Sequence, residues 1–335
     1  MRQHSSATVS ASDAISSPRS RLWWGLLGVL AFSFTVPFTR VAVAGLSPLF
    51  IGSGRAVVAA LLAALALVLT RQRLPHGTQW LRLAVVAAGV VVGFPLLTSL
   101  ALTTASASHG AVVIALLPAA TAVMAVLRTG ERPGRPFWIA AALGAIVAVA
   151  FAALQGGGFG GLSWHDLLLF GAVLAAAVGY AEGGLLAREL GAWQTISWAL
   201  VVASPLMLAL TGFAVAQQLP SATQAQWAAF GYLAVVSMFL GFFAWYRGLE
   251  IGPMAQVSQV QLVQPVFTLV WAAMLLREPV GWLTALGALA VIACAALAVR
   301  TRTRRTSTSR TSARHSSTHR SSTHRTPVSL PERQS

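Results

Sequence analysis

The chain has 335 residues, of which 56% are hydrophobic and only 9% charged. Soluble domains carry about a quarter of their residues as Asp, Glu, Lys or Arg, so a soluble enzyme of this length is excluded. The formal charge of +15 comes from 23 basic residues, every one an Arg, against 8 acids. Such a balance suggests a nucleic-acid partner only where the charge lies on a folded face.

Residues 1–21 are polar and Ser-rich, with Arg19 and Arg21 directly before the first apolar run and no cleavage site of the secretory type. They are read as a cytoplasmic N-terminus leading into a retained helix. Long apolar stretches then follow at 22–42, 49–70, 82–102, 109–128, 136–154, 166–187, 195–216, 226–247, 255–276 and 280–299. A spanning helix needs roughly 20 apolar residues, so the expectation is an all-α integral membrane protein of ten transmembrane helices. Beyond Arg300 the chain is rich in Ser, Thr, Arg and His, with tandem SSTHR copies at 316–320 and 321–325. A segment so poor in apolar residues cannot offset its chain entropy by burial and is expected to be a disordered basic tail over 300–335.

Arg in short loops stays on the cytoplasmic side. With the N-terminus inside, Arg71, Arg73, Arg82, Arg128, Arg132, Arg135, Arg188 and Arg247 all fall on the cytoplasmic face, while the loops 103–108, 155–165 and 217–225 contain no Arg. Both termini are therefore expected in the cytoplasm. The tail holds nine of the Arg, which accounts for more than half of the net charge without any nucleic-acid surface. The all-Arg basic set, with abundant Ala, Gly and Val, points to a GC-rich bacterial source and so to the bacterial cell membrane.

Displacing the chain against itself by 147 residues aligns seven identities within 102–131, including Pro118 with Pro265, Thr121 with Thr268 and Glu131 with Glu278. Two five-helix halves, 22–154 and 163–299, follow from this. Because five is odd, the second enters the membrane inverted, a plan that puts a substrate site between the halves near the midplane. The 5+5 layout, Arg55 after LSPLF, GERP at 130–133, RGL at 247–249, QPV at 264–266 and REP at 277–279 resemble the EamA family of the drug/metabolite transporter superfamily. The resemblance covers about 22–299. It implies a secondary transporter exporting an amino acid, a related metabolite or a drug. The chain departs from the family at Phe32-Ser33, where a Trp-Gly pair is common, and at Gly179-Tyr180-Ala181-Glu182 in the sixth span.

Ionisable groups inside a bilayer are costly and should face a cavity or a partner. Glu182 either lines the path or pairs with Arg188. Arg55 binds a substrate carboxylate or snorkels to the headgroups. Gln256, Gln259 and Gln264 share one arc of the ninth span and either line the path or join helices through amide hydrogen bonds; His109 is the repeat equivalent of Gln256. Pro118 and Pro265 interrupt equivalent helices and are hinge candidates. Glu131 and Glu278 are read as structural, complementing the helices that follow them. No catalytic residue, metal ligand or cofactor is indicated: the interior acids look isolated, a single cysteine, Cys294, rules out a CxxC site, and no GxxxxGK[ST] phosphate loop is present. The alternatives to a transporter are a membrane-embedded enzyme and a non-transporting sensor or scaffold.

Overall fold

The computed structural model describes residues 18–130, 132, 134–155, 163–251, 260–298 and 300. The expected basic tail, Glu131, Gln256 and Gln259 lie outside the described residues. Among the described residues, eight helices are long and apolar enough to cross a membrane: α1 Trp23–Ala42, α2 Pro48–Leu69, α3 Gln79–Ala101, α4 Ala107–Thr129, α5 Arg135–Leu154, α6 Trp164–Leu190, α7 Ala192–Gln217 and α8 Gln224–Ile251. Two shorter apolar helices follow, α9 Gln261–Leu276 and α10 Trp282–Ala298. The apolar runs read from the sequence thus reappear as helices, with the last two below spanning length among the described residues.

Local chemistry sets the helix starts. Ser47 caps α2 by accepting from the Phe50 amide, with Pro48 in the first turn, and Ser106 caps α4 by accepting from the His109 amide. Capping boxes open α6 (Ser163 with Asp166) and α8 (Thr223 with Gln226). All four caps satisfy amides that the hydrocarbon core could not. Gly130, at φ +68°, ends α4, and Gly191, at φ +95°, separates α6 from α7. A side chain at either position would be strained.

Helices of the first half pack mainly on helices of the second: α1 on α8, α2 on α7, α3 and α4 on α6, and α9 on both α1 and α4. Lipid-like surroundings supply no hydrophobic drive between helices, so small residues that admit close approach must supply contact area. The buried face of α2 is accordingly Gly52, Ser53, Gly54, Ala56, Ala59, Ala60 and Ala63. Gly89 of α3 meets Gly179 of α6 so closely that a Cβ on Gly89 would lie 2.4 Å from the Ala175 carbonyl oxygen. Large apolar side chains such as Leu65, Ile146, Leu174, Phe213 and Leu289 point outward, and Trp23, Trp138, Trp164 and Trp282 are exposed near helix ends, as an interfacial aromatic belt requires.

Five of these helices are irregular. A break at Phe34 divides α1, and another at 115–116 divides α4. A single 3-10 turn, Gln261–Val263, begins α9. α3 and α8 contain π-helical segments, Ala87–Gly93 and Leu233–Leu240. The two π segments are separated by nearly the displacement that aligns the sequence repeat.

Candidate functional site

The irregular segments of α1, α3 and α8 border one cleft. Its walls are Phe32, Thr35 and Val36 beside the α1 break, Val90, Phe94 and Pro95 of α3, Ala176 and Tyr180 of α6, Ser237, Met238 and Phe242 of α8, Gln264 of α9, and Arg55 of α2. The cleft is narrow, with about 450 Å³ of space between atoms. A second space of about 280 Å³ adjoins it, sharing Val36 and Gln264, and is lined by Pro118, Gln261, Pro265 and Thr268.

Arg55 is the cleft's outstanding group. Only 1% of its surface is exposed, so it does not snorkel, and its Nε has no hydrogen-bond partner. A guanidinium removed from water costs several kcal/mol unless an anion or hydrogen bonds compensate it. No acidic residue is among the described residues lining the cleft. Gln264 Oε1 and both side-chain polar atoms of Gln261 are also buried without partners. Aromatic rings line the same cleft: Phe32 lies 4.9 Å from Phe242 and 6.3 Å from Tyr180 by ring centroids. A buried cation, the amide of Gln264 and aromatic rings in one cleft suit a small molecule with an anionic group and an apolar body.

The departure at Phe32-Ser33 has a local explanation. Ser33 Oγ accepts from Trp271 Nε1 at 3.0 Å, and the Ser33 carbonyl accepts from Thr268 Oγ1 at 3.0 Å, so α9 satisfies polar groups at the α1 break. Thr35 and Ser237 join α1 to α8 through a 2.7 Å hydroxyl contact at the cleft wall. Pro118 and Pro265 each occupy the first turn of the helix that resumes after an irregularity, where a missing N–H costs nothing. Both line the second space, and neither kinks a continuous helix.

Glu182 does not pair with Arg188. Its carboxylate accepts from Arg82 Nε on one oxygen and from Arg128 Nε on the other, with Arg128 Nη2 a further 3.3 Å away, and Arg82 also holds Glu189. Both arginines belong to the first half and Glu182 to the second. The triad borders a further space of about 550 Å³ with Leu81, Val85, Met124 and Val178. It lies two residues beyond Tyr180 on α6, between the central cleft and the face bearing most of the loop Arg.

At the opposite face the halves are joined again. Glu278 does not serve its own following helix: its oxygens accept from the Ala107 and Ser108 amides at 2.9 and 2.8 Å and from Ser108 Oγ at 2.7 Å, capping α4. His109, outside the cleft lining, donates from Nε2 to Asp166 Oδ1 at 2.6 Å. Arg40 donates to the Leu102 and Thr103 carbonyls at the end of α3, and Arg247 pairs with Glu250 at 3.0 Å. Asp166 and Glu278 escape sequence reading because their partners lie 57 and 170 residues away.

The sequence matches the EamA-like transporter family over residues 19–153 and again over 163–300. It is 45% identical over 284 residues to a Bacillus subtilis (strain 168) protein called uncharacterized transporter YdeK, covering 82% of this chain and 96% of that protein. A solved crystal structure, described only as that of a protein, superposes with a TM-score of 0.59 over 86% of this chain and 99% of the other, at 19% identity. That likeness speaks for the fold.

Proposed function

The chain belongs to the EamA-like transporter family, and on that premise we propose that it moves a small metabolite bearing an anionic group, such as an amino acid or related carboxylate, by alternating access around Arg55. The observation that carries this reading is a fully buried guanidinium whose Nε is unpartnered in a cleft between the two halves. In this reading a substrate carboxylate supplies the missing counter-charge, Gln264 offers an amide to it, and Phe32, Tyr180 and Phe242 hold the apolar body. Apolar drugs would use the same aromatic wall.

The proposed architecture is ten spans in two inverted five-helix repeats, 22–154 and 163–299. The packing pattern supports it, since advancing each helix by five positions exchanges the pair α1–α8 with α3–α6 and α4–α6 with α1–α9, and leaves α2–α7 and α4–α9 unchanged. Rocking of the halves would open the Arg-rich face when the Glu182 triad parts and the opposite face when the Glu278 and Asp166 contacts part. Pro118 and Pro265 are the proposed hinges, and Gln256 and Gln259 the proposed continuation of the path. The Arg distribution supports both termini in the cytoplasm; the proposed location is the cell membrane and the proposed direction of transport is outward. No catalytic step, cofactor or nucleic-acid partner enters the proposal.

Reconstituted into proteoliposomes, the full chain should carry labelled amino acids or simple carboxylates. Arg55→Gln should abolish that flux, and Arg55→Lys should retain part of it, because the charge survives without the planar fork. Undiminished carboxylate flux in folded Arg55→Gln would remove Arg55 from the site.

A further inference from the structure

We propose that His109, His165 and Asp166 form a divalent transition-metal site, of the Zn²⁺ and Co²⁺ class, that bridges the two halves at the Arg-poor face. The inference is independent of the central cleft. One donor atom from each residue lies within 4.8 Å of the other two. Asp166 Oδ1 is 2.6 Å from His109 Nε2 and 3.8 Å from His165 Nε2, so two imidazoles from different halves converge on one carboxylate oxygen. Ligands about 2.0–2.2 Å from a tetrahedral Zn²⁺ stand about 3.3–3.6 Å apart, and the present separations bracket that value.

Capping alone does not explain this arrangement. The box at the start of α6 uses only Asp166 Oδ2, which accepts from the Ser163 amide at 3.0 Å and from Ser163 Oγ at 2.7 Å. Oδ1 is left for the imidazoles, and the same two bonds fix the carboxylate's orientation as outer-shell partners of metal ligands do. The His165 ring has Thr104 Oγ1 at 3.4 Å from Nδ1. With Nδ1–H donating there, Nε2 carries the lone pair toward Asp166. The His109 ring lies over Phe151, centroids 5.4 Å apart, which holds its plane.

Asp166 and His109 are buried while His165 is part-exposed, giving an ion a route from solvent, and a water would complete four-coordination. On metal binding, neutral His109 loses its Nε2 proton and takes one up at Nδ1, so the ring stays neutral and Nε2 of each histidine offers a lone pair to the ion. The two-histidine, one-carboxylate set favours Zn²⁺ or Co²⁺ over Mg²⁺ or Ca²⁺.

The test is Co²⁺ titration of the purified full chain in detergent, without a histidine tag and with His4, His315, His319 and His324 replaced by Gln. Saturable binding of one Co²⁺ is expected, with the intense visible bands of four-coordinate Co²⁺, displaced by Zn²⁺. His165→Gln and His109→Gln should each weaken it about tenfold or more, and Zn²⁺ should raise the melting temperature of the parent but of neither variant. His165 is part-exposed, so its variant should fold normally if His109→Gln does not. No saturable Co²⁺ binding in the parent, or equal binding in folded His165→Gln, overturns the site.

Discussion

Replacing Glu182 by Gln should unfasten the Arg-rich face. The Glu182 side chain is 6% exposed, Arg82 18% and Arg128 51%. Removing one partner of a buried ion pair costs about 3–5 kcal/mol, whereas exposed pairs are worth about 0.2–1 kcal/mol. The Arg82 contact lies toward the first limit and the Arg128 contact toward the second, and Arg82 keeps Glu189. The closed arrangement should therefore lose about 2 kcal/mol, roughly a thirtyfold shift toward the open one. With Cys294→Ala as background, a cysteine placed at Met124, which lines the space beside the triad, reports the opening. Maleimide labelling in membranes should accelerate by about that factor in Glu182→Gln. An unchanged labelling rate in folded protein would refute the idea that the triad holds this face shut.

Three other substitutions probe the scaffold. Glu278→Ala removes the acceptor of three hydrogen bonds at the start of α4, and a loss of about 2 kcal/mol is expected, visible as a lower melting temperature in detergent. Gly89→Val drives a side chain into the Ala175 carbonyl and should cost about 1–3 kcal/mol by overpacking, again read by thermal denaturation. In the Pro118→Ala, Pro265→Ala double variant both helices can extend backward across their irregular turns, so flux in proteoliposomes should fall while melting temperature holds or rises. Equal loss of both would mark the prolines as structural alone.

The positions of the helices were legible because a bilayer span has a length that apolar runs announce: the run at 49–70 is the helix Pro48–Leu69, and that at 226–247 lies within Gln224–Ile251. Irregularities inside them were only half legible. Pro118 and Pro265 advertise a helix start, whereas the π segments contain ordinary Ala, Val, Leu and Gly and arise from packing. Arg55 had a readable signal, since Gly52, Ser53, Gly54 and Ala56 around it mark a face pressed against another helix, where a long side chain has no lipid path outward. The partners of Glu182 could not be read. Arg82 and Arg128 looked like orientation charges in loops, and only the fold brings residues 100 and 54 positions distant onto one carboxylate.

The wide turns in α3 and α8 also bear on the length of the chain. A π turn carries one residue more than the α-helical turn it replaces, and each residue of α-helix advances the face by about 100°. Deleting one residue within Ala87–Gly93 other than Val90 would return that turn to regular winding with Phe94 and Pro95 still facing the cleft, whereas adding one to the regular winding beside it would turn both by about 100°. The same holds for Leu233–Leu240 and Phe242. The spare residue is thus slack taken up inside one turn, so these two stretches should tolerate the loss of a residue that a regular helix facing the cleft would not.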